Sequence, residues 1–120
     1  MARYKIDLGD RLVKYAARIV RLVASLPATP EARHLGRQLL KCGTSPGAQY
    51  EEAQAAESNA DFVHKLQVGL KEMRESGFWL AVLKSSDLLA QQLLVDILDE
   101  QRQLTAILSK GVATAKGTAK

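Results

Sequence analysis

The amino-acid sequence predicts an all-α protein, an antiparallel up-down-up-down four-helix bundle with a short disordered basic C-terminal tail. Of its 120 residues, 47% are hydrophobic but only 5% aromatic, and Leu and Ala dominate, which favours packed helices over sheets. Apolar residues recur every three or four positions along four segments. Short connections join these segments, so consecutive helices run antiparallel. We therefore expect one domain over residues 1–110 and a tail over residues 111–120.

The first helix is predicted to run from Leu8 to Leu26, because Pro27 pushes its predecessor out of the α region. Its inner face is expected to comprise Leu12, Ala16, Ile19, Val20, Val23 and Leu26.

The second helix begins at Thr29, which has the properties of an N-cap and is followed by Pro30 at the first helical position. Gly43 and Pro46 interrupt its apolar face, since proline removes a backbone donor and crowds the preceding turn. We expect a kink near Cys42–Pro46 rather than a break.

The third helix is predicted to start at Ser58, which with Asp61 has capping-box spacing, and to end near Lys84. Its inner face forms a narrow seam, consisting of Phe62, Leu66, Gly69, Met73, Ser76, Leu80 and Leu83.

The fourth helix is predicted to follow a turn and cap at residues 85–87 and to end at Gly111. Its apolar stripe comprises Leu89, Leu93, Ile97, Leu104, Ile107 and Leu108, with Glu100 and Gln101 in or beside it.

Charge is distributed unevenly along the chain, although the formal net charge is only +4. Residues 1–41 hold nine Lys and Arg against three acids, whereas residues 51–100 hold four against ten. The last twenty residues add four basic side chains and no acid. The molecule should therefore have a basic side and an acidic side.

The basic side is a candidate nucleic-acid interface. Seven side chains with helical spacing form it: Arg11, Lys14, Arg18 and Arg21 on helix one, and Arg33, Arg37 and Lys41 on helix two. The four on helix one are expected nearly opposite the Ala16, Ile19 and Val23 face. Such clusters neutralise phosphates, but every bundle helix also needs a solvated face, and both interpretations remain open.

The acidic half suggests self-association through charge complementarity between copies, which closes into a ring when the rotation permits. On helix three a second, semi-apolar strip lies to one side of the seam. We expect it to form an oligomer interface composed of Val68, Glu75, Trp79 and Val82. The alternative for Trp79 is packing at the edge of the core.

Catalytic and metal chemistry are not predicted. Glu31 with His34 and Asp61 with His64 show carboxylate-histidine spacing, but each pair begins its helix, and antiparallel helices begin at opposite ends. Cys42 lies in an apolar stripe, which is typical of a core residue rather than a nucleophile. We expect no enzyme activity, cofactor or metal.

A cytoplasmic protein is expected from three absences in the sequence. A single cysteine allows no intrachain disulfide, no apolar run reaches the ~20 residues of a membrane helix, and the N-terminus lacks a signal-peptide core.

Residues 45–83 carry a resemblance to a known family. They include the run Ser-Pro-Gly-Ala-Gln-Tyr-Glu-Glu-Ala at 45–53. The further matching positions are Ser58, Asp61, Phe62, Lys65, Leu66, Glu72, Glu75, Trp79 and Leu80. The pattern resembles the four-helix-bundle proteins encoded in intervening sequences of bacterial 23S rRNA genes, which are related to accessory proteins of diversity-generating retroelements.

That resemblance implies a homopentameric ring with an RNA or DNA partner, and a reverse transcriptase partner for a member encoded in a retroelement. Together with the basic face it leads to the hypothesis of a non-enzymatic ring protein that binds nucleic acid, RNA first. The alternative is a structural or adaptor oligomer with no nucleic-acid site, whose charged halves meet in subunit contacts.

Overall fold

A computed structural model describes residues 7–117 as four helices. Their bounds are α1 Leu8–Ala24, α2 Pro30–Gln54, α3 Asn59–Ser86 and α4 Gln91–Lys116. Each helix packs against the next along the chain, and a smaller contact between α1 and α4 closes the bundle. No strand occurs within the described range. The predicted all-α fold is confirmed.

Three helices begin at side chains that accept bonds from otherwise unpaired backbone N–H groups. The Asp7 carboxylate caps α1 and accepts from the Gly9 nitrogen at 2.9 Å. The Thr29 hydroxyl caps α2, and the Ser58 hydroxyl caps α3 by accepting from the Asp61 nitrogen at 3.0 Å. The predicted starts at Thr29 and Ser58 are confirmed.

Helix α2 continues through Pro46 without a break, as the sequence predicts. Just before the proline, the Thr44 hydroxyl donates to the Leu40 carbonyl at 2.7 Å, and the Ser45 hydroxyl donates to the Lys41 carbonyl at 2.8 Å. Pro46 is itself buried, so its ring contributes apolar contacts where it removes a backbone donor.

The connection between α3 and α4 differs from its prediction. Asp87 adopts a left-handed conformation with φ 58° and terminates α3, rather than capping α4. Helix α4 begins after Ala90 with no side-chain cap. Instead, the Gln91 amide donates to the Lys84 carbonyl at 2.9 Å and thereby satisfies the end of α3.

The predicted end of the fourth helix at Gly111 is wrong, because α4 continues to Lys116. Val112 is 8% exposed and extends the buried stripe by one turn, so this segment has a reason to remain helical. The left-handed residue that ends the helix is Gly117, at φ 77°. The predicted disordered tail is therefore helical over 111–116, and residues 118–120 lie outside the described range.

The core confirms the predicted α3 face and part of the predicted α4 stripe, in which Ile97, Leu104 and Leu108 are buried. Leu93 and Ile107 of that stripe are 54% and 37% exposed, and Leu94 is buried instead. The α3 seam is buried from Leu66 to Leu83, and Phe62 packs at its edge. Helix α1 is rotated relative to its prediction, since Tyr15 and Leu22 are buried whereas Val20 is 48% exposed. This rotation moves the basic row of α1 toward α4.

A hydrogen-bonded chain crosses the core and joins three helices. The Ser76 hydroxyl donates to the Met73 carbonyl at 2.6 Å, so the Tyr15 hydroxyl, 2.8 Å away, must be the donor to Ser76. The Gln101 amide of α4 donates to the same Met73 carbonyl at 2.9 Å. Burial also raises the pKa of Tyr15. These hydrogen bonds fix the register of α1, α3 and α4 relative to one another.

Candidate nucleic-acid and subunit interfaces

The basic row of α2 lies on its outer surface. Arg33, Arg37 and Lys41 are exposed and follow one another at intervals of one turn. At about 100° per residue they point away from the buried Leu39. The helix itself therefore presents these three cations to solvent.

The basic row of α1 is divided between structure and solvent. Arg11 forms a two-pronged ion pair with Glu100 of α4, with Nη2 to Oε1 at 2.7 Å and Nε to Oε2 at 3.0 Å. The hydrogen bonds to Glu100 raise the pKa of Arg11. With its side chain only 17% exposed, Arg11 joins α1 to α4 instead of lying opposite the core.

The remaining cations of α1 are more available. Lys14 and Arg21 are exposed, and Arg18 is half-buried beside α4. Arg18 and Arg21 border an open groove of about 330 Å³ that also contains Leu93 and Ile97 of α4. Of the seven residues of the basic face, Arg11 forms an ion pair with Glu100. The other six have no ion-pair partner within residues 7–117.

An apolar ridge separates the two basic rows, and the sequence prediction missed it. It consists of Val13, Val20 and Leu40, which are 62%, 48% and 39% exposed. On the helical wheel the two valines lie between the α2-facing side of α1 and its basic row, and Leu40 has the corresponding position on α2. A basic face with an apolar centre suits contact with a protein as well as with phosphates.

The seam beneath the ridge contains a groove of about 260 Å³. Val23 and Leu26 of α1 form one wall, Gly36 and Leu40 of α2 the other, and the Arg33 and Arg37 side chains lie at its rim. Its floor exists because Gly36 has no side chain. A methyl group there would lie 3.1 Å from Val23 Cγ1.

The predicted interface strip on α3 is partly buried. Val68, Trp79 and Val82 are half-buried and Glu75 is exposed. The Trp79 indole donates to the Glu75 carboxylate at 3.0 Å and packs edge-on against His34 of α2, with ring centroids 5.9 Å apart. Trp79 thus contributes to the core edge while one part of it reaches the surface.

Beside this strip lies Phe78, which the sequence prediction omitted and which is 59% exposed. Its ring meets Trp79 edge-on at 5.0 Å. Ala81 and Val82 continue the apolar surface along the next turn, and a shallow depression of about 360 Å³ lies among them. Phe78 lies about 160° from the seam on the helical wheel, and that position was the available signal.

Nothing in residues 7–117 groups three or more metal-ligating side chains. His34 lies at the level of Trp79, fifteen residues along α3 from His64, which corresponds to about 22 Å of helix. Cys42 is fully buried, as predicted, and burial raises its pKa to about 12. A neutral, inaccessible thiol is a poor nucleophile.

The segment that carries the family resemblance packs α2 against both neighbours. A methyl group added at Gly47 would lie 3.5 Å from Leu12 of α1. Ala53 is 2% exposed, and Glu52 forms an ion pair with Lys65 of α3 at 3.2 Å. The motif therefore has a structural explanation that needs no catalytic role.

Within the described part of the chain, no helix combines the length and the apolar character needed to cross a bilayer.

Comparisons with known proteins agree on one family. The model of the 23S rRNA-intervening sequence protein family matches residues 5–110. A crystal structure of a protein of unknown function from the S23 ribosomal protein family of Bacteroides thetaiotaomicron is similar, with a TM-score of 0.83 and 30% identity. The match covers 88% of this chain and 98% of that one. Among curated proteins, none is detectably similar in sequence.

Proposed function

This chain belongs to the 23S rRNA-intervening sequence protein family. On that basis we propose that it is a non-enzymatic bundle protein that assembles into a homopentameric ring. We further propose that it binds nucleic acid, with RNA as the favoured ligand. The basic face of α1 and α2 is the proposed binding surface. The strip around Trp79 on α3 is the proposed contact between copies.

The observation that carries the nucleic-acid proposal is the set of six basic side chains without an ion-pair partner in the described chain. An ordinary solvated helix face mixes both signs of charge, which lowers its attraction to polyanions. Here the acids Asp10 and Glu31 lie at helix starts, where the helix dipole already accounts for them. The face is therefore suited to releasing counterions from phosphates.

A double charge reversal on α1 tests the proposal directly. Lys14→Glu with Arg21→Glu reverses two exposed cations that form no ion pair within residues 7–117. We expect binding of a short structured RNA to weaken on the order of ten-fold or more at low salt. The slope of log K against log salt should fall in magnitude by about 1 to 2.

The matched control is Lys84→Glu with Lys110→Glu, two exposed cations on α3 and α4 that change the net charge equally. A general electrostatic effect would weaken binding equally in both double variants. If only the α1 variant loses affinity, the basic face is the binding surface. If neither does, that face is a solvated surface.

One observation favours a second function, a structural or adaptor oligomer without a nucleic-acid site. The ridge of Val13, Val20 and Leu40 occupies the middle of the basic face. Apolar groups do not bind phosphates, and an exposed apolar patch is typical of a contact with another protein. Light scattering coupled to size exclusion separates the two. A mass near five times that of the 13.1 kDa protomer, unchanged when RNA is added at low salt, would support the adaptor function.

A further inference from the structure

Two of the apolar surfaces that are uncovered in the described chain differ in shape. The first lies on the outer side of α3 and is centred on the 59% exposed Phe78 side chain, with Ala81 and Val82 bordering the shallow depression beside it; we call it the knob. The second is the concave groove between α1 and α2 beneath Leu40, floored at Gly36; we call it the socket. We infer that the knob of one copy inserts into the socket of the next, and this inference rests on the proposed self-association.

The dimensions of the two surfaces are compatible. The socket has a volume of about 260 Å³, whereas an apolar cavity of about 150 Å³ is enough to hold a benzene molecule. The volume of the socket is therefore sufficient for a phenyl ring. The knob is also preorganised, because Trp79 supports the Phe78 ring edge-on and is itself held by Glu75 and His34.

The charges at the borders of the two surfaces are complementary. Glu75, exposed, lies one turn before Phe78 on α3. The rim of the socket carries Arg33 and Arg37, which have no ion-pair partner in residues 7–117. Arg74 also lies one turn before Phe78, so a like-charge contact disfavours the orientation that would bring it to the rim. Charge thereby selects one orientation of the knob.

The positions of knob and socket on the molecule determine the kind of assembly. The Phe78 ring of the knob packs on Trp79, which contacts His34 of α2, and the socket opens at Gly36, two residues further along α2. Two residues correspond to about 200° around a helix, so knob and socket lie on opposite sides of α2. A contact between different surfaces of identical chains is heterologous, and it produces a ring when the rotation between successive copies closes.

The inference also divides the basic residues between two tasks. Arg33 and Arg37 become subunit contacts at the socket rim. Lys14 and Arg21 on α1 and Lys41 on α2 remain outside it and stay available for nucleic acid.

The test is complementation between two variants that each lose one half of the contact. Phe78→Glu removes the knob and leaves the socket, and Leu40→Glu blocks the socket and leaves the knob. Both positions are exposed, so the bundle should fold in either case, which circular dichroism checks. Val95→Glu, at a 51% exposed apolar site on α4, is the matched control.

Light scattering should give wild type and Val95→Glu the mass of the ring, and each of the other two variants alone the mass of the 13.1 kDa protomer. An equimolar mixture of Phe78→Glu and Leu40→Glu should give a species of two protomers, since it restores one intact contact.

Three results would overturn the inference. If Leu40→Glu keeps the wild-type mass while Phe78→Glu dissociates, the knob pairs with another knob. If both keep the wild-type mass, the ring stands and uses other surfaces. A wild-type monomer would instead remove the proposed ring itself, and with it this contact.

Discussion

The seam between α1 and α2 and the seam between α3 and α4 are both built around glycines, but they use them differently. At Gly43 the Ile19 side chain of α1 packs directly against the α2 backbone, so an added methyl group would lie 2.8 Å from Cγ1 of Ile19. At Gly77 the vacant space is filled by the Gln101 amide, which would lie 2.5 Å from an added methyl group. The first seam is apolar and tight, and the second contains a specific hydrogen bond.

This difference bears on the two proposed interfaces. Because the α1–α2 seam is apolar, it uses none of the charged side chains of these helices. The outer surfaces of α1 and α2 can therefore carry the basic residues and the ridge. The polar seam fixes the rotation of α3, because the Gln101 bond to Met73 forms in one register only. The orientation of Phe78 and Trp79 on the outer side of α3 follows from that register.

The largest expected effect is a break in the apolar seam. Gly43→Ala should lower the free energy of unfolding by about 1 to 3 kcal/mol, since overpacking has this range of cost. Ile19 has one strongly preferred rotamer in a helix and cannot move aside. Urea unfolding followed by circular dichroism measures the change.

Gly111→Ala on α4 is the control for the first prediction. The nearest atom to an added methyl group there is Leu66 Cδ1 at 3.9 Å, an ordinary contact. We expect a gain of about 0.5 to 1 kcal/mol from the better helix propensity of alanine. If both variants gained stability, the α1–α2 seam would be looser than its distances indicate.

A smaller effect is expected in the polar seam. Gly77→Ala should cost about 1 kcal/mol, because Gln101 is flexible and can leave at the expense of its bond to Met73. In a Gln101→Ala background the same change should become stabilising by about 0.5 to 1 kcal/mol, since the obstructing amide is gone. A double-mutant cycle measures this coupling, and additive effects would contradict it.

Much of the fold could be predicted because helical periodicity and caps are local signals. The α3 seam and the starts at Thr29 and Ser58 depend on residues within a few positions of each other. The rotation of α1 depends on partners elsewhere, since Glu100 draws Arg11 toward α4 across 89 positions of sequence. Glycine is a local signal for a helix end, which is why the sequence predicts an end at Gly111. The helix continues because Val112 is buried against other helices, and only the tertiary structure shows this.

The candidate interfaces were predictable only in part, for a similar reason. The basic residues of α2 follow from their spacing alone, and they lie on its surface as expected. The socket requires two helices at a known separation, whereas Phe78 could have been found from its position opposite the α3 seam. Spacing on one helix contains no information about what the next helix covers.

The last expected effect concerns the buried Cys42 of α2, and it appears only at alkaline pH. Burial raises its pKa from 9.0 to about 12 in the folded chain. The folded state therefore keeps the thiol proton that the unfolded state loses above pH 9, and the stabilisation present below pH 9 is lost as pH rises toward 12. The expected loss is on the order of 1 kcal/mol per pH unit in that window.

Urea unfolding at pH 8 and at pH 10 measures the effect. The free energy of unfolding should decline less between the two pH values in Cys42→Ala than in wild type. Tyr15, whose pKa burial also raises, accounts for a remaining decline of the same sign. An identical decline in both proteins would mean that the Cys42 thiol ionises equally well in the folded and unfolded chains.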